Sequence, residues 1–305
     1  MSGERIALVT TDAEFLGTDE RDIDLLVPAL RRRGFEVATP IWYDPAVEWS
    51  GFDLAVMRSP WDYPDRPGQF MAWLAAVCRQ VRVLNPPELI RWNMDKHYLL
   101  DLMAQGVPCA PGAFCTTPDE VTAALARWRD RSVIVKPTVS VASANTGWFA
   151  ATDPAAVELA NRIFGLGKVA MVQPAIEYVT AHGENALIYF NGEFAASFHK
   201  APILTLGGGL VGGSYTEDIT PGHPGAAEIA AGEQVMAAIA DIGTARGFSS
   251  DARYPLYARI DMALADGVEP RVLEVEAFEP AYFADIIPEV AERFADALVA
   301  RLAAG

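Results

Sequence analysis

Short apolar segments alternate with helix-like segments over about the first 90 residues, and this alternation limits the possible folds more than any other feature of the chain. Four of the apolar segments are typical of strands, at Ile6–Val9, Phe35–Thr39, Phe52–Met57 and Val81–Leu84. Two helical patterns lie among them, at 22–33 and 69–80. Strands that alternate with helices predict a parallel sheet with helices on its faces.

The segment RSPWDY, residues 58–63, comes directly after the third predicted strand. In open parallel sheets, ligands bind beyond the carboxyl ends of the strands. The segment, with its polar residues Arg58, Ser59 and Asp62, therefore follows a strand in the position where such sheets bind ligands.

The remainder of the chain predicts two more mixed regions. Asn85-Pro86-Pro87 interrupts the first pattern, and Asn93 is placed to cap a helix that runs to about residue 105 and carries Lys96 in its first turn. A second α/β region extends to about residue 180, and a third follows it. The predicted fold class is α/β with α+β character, and the predicted domains are 1–92, 93–180 and 181–305.

Composition narrows the possible partners. The chain has 305 residues, of which 51% are hydrophobic, enough for more than one packed unit. A net charge of −16 repels phosphate backbones and anionic lipids, so neither nucleic acid nor a membrane is an expected partner. The first apolar run is too short for a signal peptide, and three cysteines form no CxxC pair. These features predict a cytoplasmic protein with a small-molecule substrate, and they leave a homo-oligomer open.

Three carboxylates near the C-terminus carry the strongest chemical signal. Asp261 lies in one strand-like run, and Glu274 and Glu276 alternate in the next, so these two glutamates share one face of their strand. The alternation places Leu273, Val275 and Ala277 on the opposite face. Converging carboxylates are suited to Mg²⁺, which prefers hard oxygen ligands. The alternative is an edge strand with solvated acids.

Two lysines are candidate phosphate ligands. Lys136 ends the apolar run SVIVK and is followed by a proline, which suits a point charge that faces a phosphate. Lys96 either points at an anion or is offset by Asp95. The loop after Lys136 contains Ser140 and Ser143 among small uncharged residues, and such a loop can cover phosphates with its N–H and hydroxyl groups. A snorkelling lysine and an ordinary loop are the alternatives.

The run Val169–Val172 is typical of a strand and leads into Gln173, Pro174 and Ile176. An extended segment of this kind can offer backbone groups to a base edge. Glu184 follows and is placed to accept hydroxyl groups. The alternative is an ordinary strand exit with surface acids.

The order of these residues resembles the ATP-grasp superfamily, in the branch of glutathione-synthetase-like and ribosomal-protein-modifying ligases. The resemblance covers about residues 93–280, and the α/β unit before it is similar to the N-terminal domain of that family. It implies the ATP-grasp fold, in which a Rossmann-like domain precedes two subdomains that clasp the nucleotide. It also implies an ADP-forming carbon–nitrogen ligase that activates a carboxylate as an acyl phosphate.

The resemblance implies a role for each matching residue. Lys96 and Lys136 would hold the α- and β-phosphates of ATP, and the loop serines Ser140 and Ser143 would cover them. The adenine would contact Gln173 and the backbone near Pro174 and Ile176, and the ribose would contact Glu184. Two Mg²⁺ ions, replaceable by Mn²⁺, would be held by Asp261, Glu274 and Glu276. Arg259 and Lys200 would be the catalytic cations.

Several segments narrow the resemblance, namely RSPWDY, FHKAPI, YARIDMAL and LEVEAFEP. They are similar to the cyclo-ligases that close O-ureido-D-serine to the antibiotic D-cycloserine. This resemblance implies that Arg58, Ser59, Asp62 and Glu279 hold a small zwitterionic substrate, since an ammonium group pairs with a carboxylate and a carboxylate pairs with arginine or lysine.

The chain departs from the family pattern in two places. Many ATP-grasp proteins have asparagine where this chain has Glu276, and no lysine or arginine occurs between residues 201 and 245. Lys200, Arg259 and the backbone N–H groups of Gly207–Gly213 would then replace the missing cation. Three alternatives remain: an intermolecular ligase that joins a carboxylate to an amine, a nucleotide-binding protein without catalysis, and a two-lobed sugar- or amino-acid-binding protein.

Overall fold

The computed structural model describes residues 3–17, 22–210 and 218–304. The described strands form three sheets, one within each of the three predicted segments. The boundaries of those segments as domains stay a prediction. The predicted backbone contribution of Gly207–Gly213 lies partly outside the described residues.

The N-terminal sheet is parallel, with strand order β2-β1-β3-β4. The strands of this sheet and the helices between them are β1 Arg5–Thr10, α1 Ala13–Leu16, α2 Ile23–Arg32, β2 Glu36–Ala38, β3 Leu54–Ser59, α3 Pro67–Val77 and β4 Arg82–Leu84. All of β3 and nearly all of β1 are buried, as expected of strands covered on both faces. The predicted parallel sheet is confirmed.

The second sheet is antiparallel, with order β5-β8-β6-β7. The elements of this region are α4 Pro87–Asn93, α5 Tyr98–Ala104, β5 Ala113–Cys115, α6 Pro118–Arg127, β6 Ser132–Pro137, β7 Gly147–Ala150, α7 Pro154–Gly165 and β8 Ala170–Pro174. Helices α6 and α7 cover one face and share its apolar core. The capping box at Thr117 and Glu120 begins α6.

The third sheet is antiparallel, with order β11-β10-β9-β12-β13. Its elements are α8 Glu177–His182, β9 Glu184–Phe190, β10 Glu193–Lys200, β11 Ile219–Pro221, α9 Ala226–Ala245, α10 Ser250–Arg253, β12 Tyr257–Ala265, β13 Glu269–Glu276 and α11 Glu289–Ala304. Side chains of β9 alternate between two cores: Ile188 packs with α2 and α11, and Leu187 packs with α5 and α9. The first of these cores also contains Ile6 and Leu8 of β1, so the N-terminal sheet and the third sheet share one apolar core.

The predicted cap at Asn93 is wrong. Helix α4 ends at Asn93, and α5 begins only at Tyr98, so Lys96 lies in the turn between two helices. The Asn93 side chain is buried, donates to the carbonyl of Val275 at 2.8 Å and accepts from the N–H of Ala277 at 2.6 Å. Because β13 uses this amide, Asn93 is unavailable as a cap.

Replacing Asn93 with alanine is expected to lower the free energy of unfolding by about 3 kcal/mol, because the buried carbonyl of Val275 and the buried N–H of Ala277 lose their partner. Urea denaturation measures the change. The matched control is Asn161→Ala on the exposed face of α7, where we expect a change within about 0.5 kcal/mol. Equal midpoints and slopes for both variants would contradict the role assigned to Asn93.

In the described part of the chain, no helix has both the length and the apolar character that a membrane crossing requires.

Candidate active site

A cleft of about 470 Å³ opens where the three sheets meet, a volume typical of small-molecule sites. Most of the sequence-predicted site residues line it: Lys96, Lys136, Ser140, Ser143, Gln173, Pro174, Ile176, Glu184, Lys200, Arg259, Asp261, Glu274, Glu276 and Glu279. The three predicted residues of the N-terminal sheet, Arg58, Ser59 and Asp62, do not.

Strands β12 and β13 bring the predicted acids together. Asp261 lies opposite Glu274 across the antiparallel pair, and Arg259 lies opposite Glu276. All four side chains project into the cleft, whereas the intervening Ile260 of β12 is buried in the apolar core. The predicted convergence of the three carboxylates on one face is therefore present.

Leu273 does not follow the predicted alternation. Asp261 pairs with Glu274, but the next residue, Met262, pairs with Val272, so Leu273 is an extra residue on β13. Such a bulge turns a side chain out of register. Leu273 is consequently half-buried and lines the cleft, whereas Val275 borders the cleft but packs in the apolar core as expected. Alternation alone cannot reveal a bulge, so sequence reasoning missed this apolar contact.

Asp261 is held by two cations. The guanidinium of Arg259 donates to both of its oxygens at 2.8 and 2.9 Å, and the ammonium of Lys200 donates at 2.6 Å. Burial alone would raise the pKa of Asp261, but these two charges hold it below its ordinary value. Arg259 also pairs with Glu276. Lys200 pairs as well with Glu184 at 3.1 Å.

Glu276 carries the opposite shift. Burial raises the pKa of Glu276 well above its ordinary value, and the charges of Asp261, Glu279 and Glu274 add to that effect. Arg259 opposes it incompletely. The acidic side of the cleft therefore has more negative charge than its arginine and lysines neutralise.

Lys96 reaches the acids from the opposite wall. Its ammonium lies 2.8 Å from Glu274, and only 4% of the residue is exposed. Burial alone would lower the pKa of Lys96, but Glu274 outweighs that effect and raises it. The turn is fixed because the N–H of Lys96 donates to the carbonyl of Thr138 at 3.0 Å.

Lys136 differs from the other cleft lysines, because it forms no ion pair with any residue that the structure describes. It lies one residue before the end of β6 and lines the cleft. Burial lowers the pKa of Lys136, and the charge of Lys96 adds to the lowering. An anionic ligand would relieve both effects.

The small-residue loop after β6 covers one end of the cleft. Ser140 and Ser143 line it, and Ala142 and Ser143 have φ values of 52° and 53°. Left-handed conformations in residues other than glycine are uncommon and cluster at functional sites. The end of β8 forms the neighbouring wall, where Gln173 donates to the carbonyl of Ala110 at 3.4 Å.

Three predicted substrate contacts belong instead to the protein interior. Arg58 is fully buried, donates to Asp22 at 3.1 Å and to the carbonyl of Pro280 at 2.7 Å. Ser59 bonds Thr10 at 2.8 Å. Asp62 accepts from the indole N–H of Trp42 at 2.6 Å. The strand position was predicted correctly, but these side chains join elements beneath the cleft and do not line it.

The cleft is lined instead by the two aromatic residues that flank Asp62. Trp61 and Tyr63 line it, and both lie close to Glu279. Burial raises the pKa of Glu279 to about 7, although the Tyr63 hydroxyl opposes the rise. Alternation around the predicted Asp62 was the available sequence signal for these aromatic residues.

The donor set fits a divalent cation in its chemistry. Asp261, Glu274 and Glu276 supply only hard carboxylate oxygens. Burial and repulsion by neighbouring carboxylates raise the pKa of Glu276, and a cation would relieve the repulsion. Within residues 3–17, 22–210 and 218–304, no three acidic, histidine or cysteine side chains are already arranged as a metal cluster. The acids are occupied by Lys96, Lys200 and Arg259, so a metal would have to displace these partners.

Known proteins match both the sequence and this architecture. Residues 6–85 match the family model described as the N-terminal domain of D-cycloserine synthetase DcsG. The "cycloserine biosynthesis protein DcsG" of Streptomyces lavendulae is 32% identical, over 97% of this chain and 99% of that protein. The crystal structure of D-cycloserine synthetase DcsG matches with a TM-score of 0.86 at 30% identity, over 98% of this chain and 99% of that one.

More distant structures share the fold. D-alanyl-alanine synthetase A from Vibrio cholerae has a TM-score of 0.66 at 16% identity, over 98% of this chain and 97% of that one. An ATP-grasp RimK-domain protein from Sphaerobacter thermophilus has a TM-score of 0.65 at 17% identity, over 96% and 98% of the two chains. The predicted ATP-grasp fold and ligase class are confirmed. This chain belongs to the DcsG family of ATP-grasp, ATP-dependent carbon–nitrogen ligases.

Proposed function

We propose that this chain converts O-ureido-D-serine, ATP and water to D-cycloserine, ADP and phosphate, with loss of the ureido carbon as CO₂ and of the terminal ureido nitrogen as ammonia. The carrying observation is the cleft in which three carboxylates of β12 and β13 face Lys96 and Lys136. The choice of substrate is based on the two DcsG relatives, whose names refer to cycloserine.

The proposed nucleotide site follows from the charges. Lys136 has no described ion-pair partner, and Lys96 can exchange Glu274 for phosphate, so these two ammonium groups hold the polyphosphate. The base lies toward Gln173, Pro174, Ile176 and Leu273, and Glu184 takes the ribose. Loop serines Ser140 and Ser143 cover the phosphates.

Asp261, Glu274 and Glu276 would hold two Mg²⁺ ions, which Mn²⁺ can replace. When bound, Mg²⁺ would supply positive charge that neutralises the phosphate oxygens. Arg259 and Lys200, released from part of their carboxylate contacts, then stabilise the charge that develops on the transferred phosphoryl group and on the substrate carboxylate.

The proposed reaction has two chemical steps. The substrate carboxylate attacks the γ-phosphorus, ADP leaves, and an acyl phosphate forms. The ureido nitrogen bonded to oxygen then attacks the acyl carbon, phosphate leaves, and a five-membered ring closes. Water completes the release of the ureido carbon as CO₂ and of its terminal nitrogen as ammonia. The cleft contributes mainly positioning and charge stabilisation.

The test is a product assay with Mg²⁺, ATP and O-ureidoserine of either hand. We expect ADP, D-cycloserine and ammonia in equal amounts from the D-form, with no second organic substrate. ADP release that requires an added amine would instead indicate an intermolecular ligase. Tight ADP binding without ATP turnover on any carboxylate would indicate a nucleotide-binding protein that lacks catalysis.

Three further expectations accompany the proposal. A homo-oligomer is possible, and sedimentation analysis tests it. We also propose a cytoplasmic location and a division into domains at 1–92, 93–180 and 181–305; cell fractionation and limited proteolysis test these.

A further inference from the structure

One carboxylate of the cleft has a buried oxygen without a hydrogen-bond partner among the residues that the structure describes. Glu274 pairs with Lys96, Asp261 with Lys200 and Arg259, and Glu184 with Lys200. Glu276 pairs with Arg259. In contrast, Oε2 of Glu279 is buried and has no hydrogen-bond partner among the described residues. Only 7% of Glu279 is exposed, and the residue lines the cleft. A buried acceptor that faces a cleft is suited to a donor from a bound ligand.

The surroundings of Glu279 are aromatic. Trp61 and Tyr63 line the same cleft, and the indole N–H of Trp61 donates to the carbonyl of Glu279 at 2.9 Å. Phe283 lines the cleft as well. A carboxylate beside aromatic rings favours a small organic cation, because the rings attract its charge and the carboxylate accepts its N–H groups.

The segment that carries Glu279 is held by hydrogen bonds from both inside and outside the cleft. Arg58 donates to the carbonyl of Pro280 at 2.7 Å, and Arg259 donates to that of Ala281 at 3.2 Å. Asp22 accepts from the N–H groups of Tyr282 and Ala284 at 2.6 and 2.9 Å. These bonds fix the backbone, so Glu279 belongs to a preformed wall.

Phe283 gives independent evidence of a constrained wall. Its φ is 51°, which is a genuine outlier for a bulky residue. Such a conformation persists only where the surroundings over-determine it, and it occurs preferentially at ligand sites.

We infer that Glu279, between Trp61 and Tyr63, binds the α-ammonium group of the substrate and makes the enzyme select α-amino acids over their des-amino analogues. Arg259 lies at the other side of the same segment and can face the substrate carboxylate. This inference rests on the proposed function and deepens it. The α-amino group takes no part in ring closure, so Glu279 determines specificity and is not needed for the chemical steps.

The neighbouring Asp62 is the natural competitor for this role, since it is also a buried carboxylate. Asp62 does not line the cleft, and it accepts from Trp42 at 2.6 Å. The two positions therefore provide a matched pair of substitutions, Glu279→Gln and Asp62→Asn. Each removes one charge and keeps the size of the side chain.

The experiment compares kcat/KM for O-ureido-D-serine and for 3-(ureidooxy)propanoate, which lacks only the α-amino group. We expect the wild type to prefer the amino acid by about 10³-fold, since a site built for a polar group rejects an analogue that lacks it. Glu279→Gln should reduce the preference to about 10-fold or less and leave KM for ATP and the Mg²⁺ requirement within about 3-fold. Asp62→Asn should keep the full preference.

Binding measured by calorimetry with ADP and Mg²⁺ separates this inference from the proposed function. If the chain does not cyclise O-ureidoserine but binds it through Glu279 more tightly than the des-amino compound, the proposed function fails and the subsite stands. If both compounds cyclise equally well, or if neither binds the wild type, the inference is overturned. A changed Mg²⁺ requirement in Glu279→Gln without loss of amine preference would instead identify a metal ligand.

Discussion

Replacing Lys136 with methionine is expected to lower kcat/KM for ATP by about 10³-fold while the fold keeps or gains stability. Loss of a buried charge-assisted contact to phosphate costs about 4 kcal/mol, which corresponds to that factor. The stability expectation has a separate reason. A lowered lysine pKa means that the charged form is less favourable in the folded chain than in the unfolded one. A neutral side chain removes that penalty.

Steady-state kinetics with varied ATP and urea denaturation give the two readouts for this variant. Lys168→Met is the matched control, because burial lowers the pKa of Lys168 as well but that residue does not line the cleft. The control should keep kcat/KM for ATP within about 3-fold. Wild-type ATP kinetics in the Lys136 variant would show that this ammonium does not contact the nucleotide.

Replacing Arg58 with methionine is expected to lower the free energy of unfolding by about 4 kcal/mol, because it removes one partner of the buried ion pair between Arg58 and Asp22. The guanidinium also packs 3.9 Å from the centre of the Tyr282 ring and bonds Pro280. Activity per folded molecule should fall far less than in the Lys136 variant, since Arg58 supports the wall of the cleft and does not line it.

Urea denaturation measures this change, and Arg66→Met is the control from the same loop region. Arg66 lies 3.8 Å from Asp62 with 44% of its side chain exposed, so its removal should cost less than about 1 kcal/mol. Two variants of equal stability would contradict the structural role of Arg58. If the Arg58 variant is stable but binds the substrate more weakly, Arg58 contacts the substrate, as the sequence resemblance implied.

Sequence patterns were sufficient for the parts of the fold that depend on periodicity. The alternation of strands and helices predicted the parallel sheet, and the two-residue period of β13 placed Glu274 and Glu276 on one face. The order of Lys96, Lys136 and the acidic strands identified the ATP-grasp fold. The first two features are local, so they are visible in a short window of sequence. The ATP-grasp fold was instead predicted from the resemblance of widely spaced motifs to a known family.

Other parts depend on long-range contacts that no local pattern reveals. Asn93 has the residue type of a helix cap, but β13, 182 positions away at Val275, takes its side chain. The bulge at Leu273 follows from the register between two strands. Arg58 lies at the expected sheet edge, yet Asp22 and Pro280 draw it into the interior. In each case a tertiary partner outweighs the local preference.

The central claim is that three carboxylates and two lysines enclose the polyphosphate of ATP. The most direct measurement is a crystal structure with a non-hydrolysable ATP analogue and Mn²⁺, in which anomalous scattering locates the metal. The account predicts Mn²⁺ peaks against Asp261, Glu274 and Glu276, with the phosphates between them and Lys96 and Lys136. A nucleotide bound elsewhere, or metal peaks away from these carboxylates while Lys96 keeps its pair with Glu274, would contradict it.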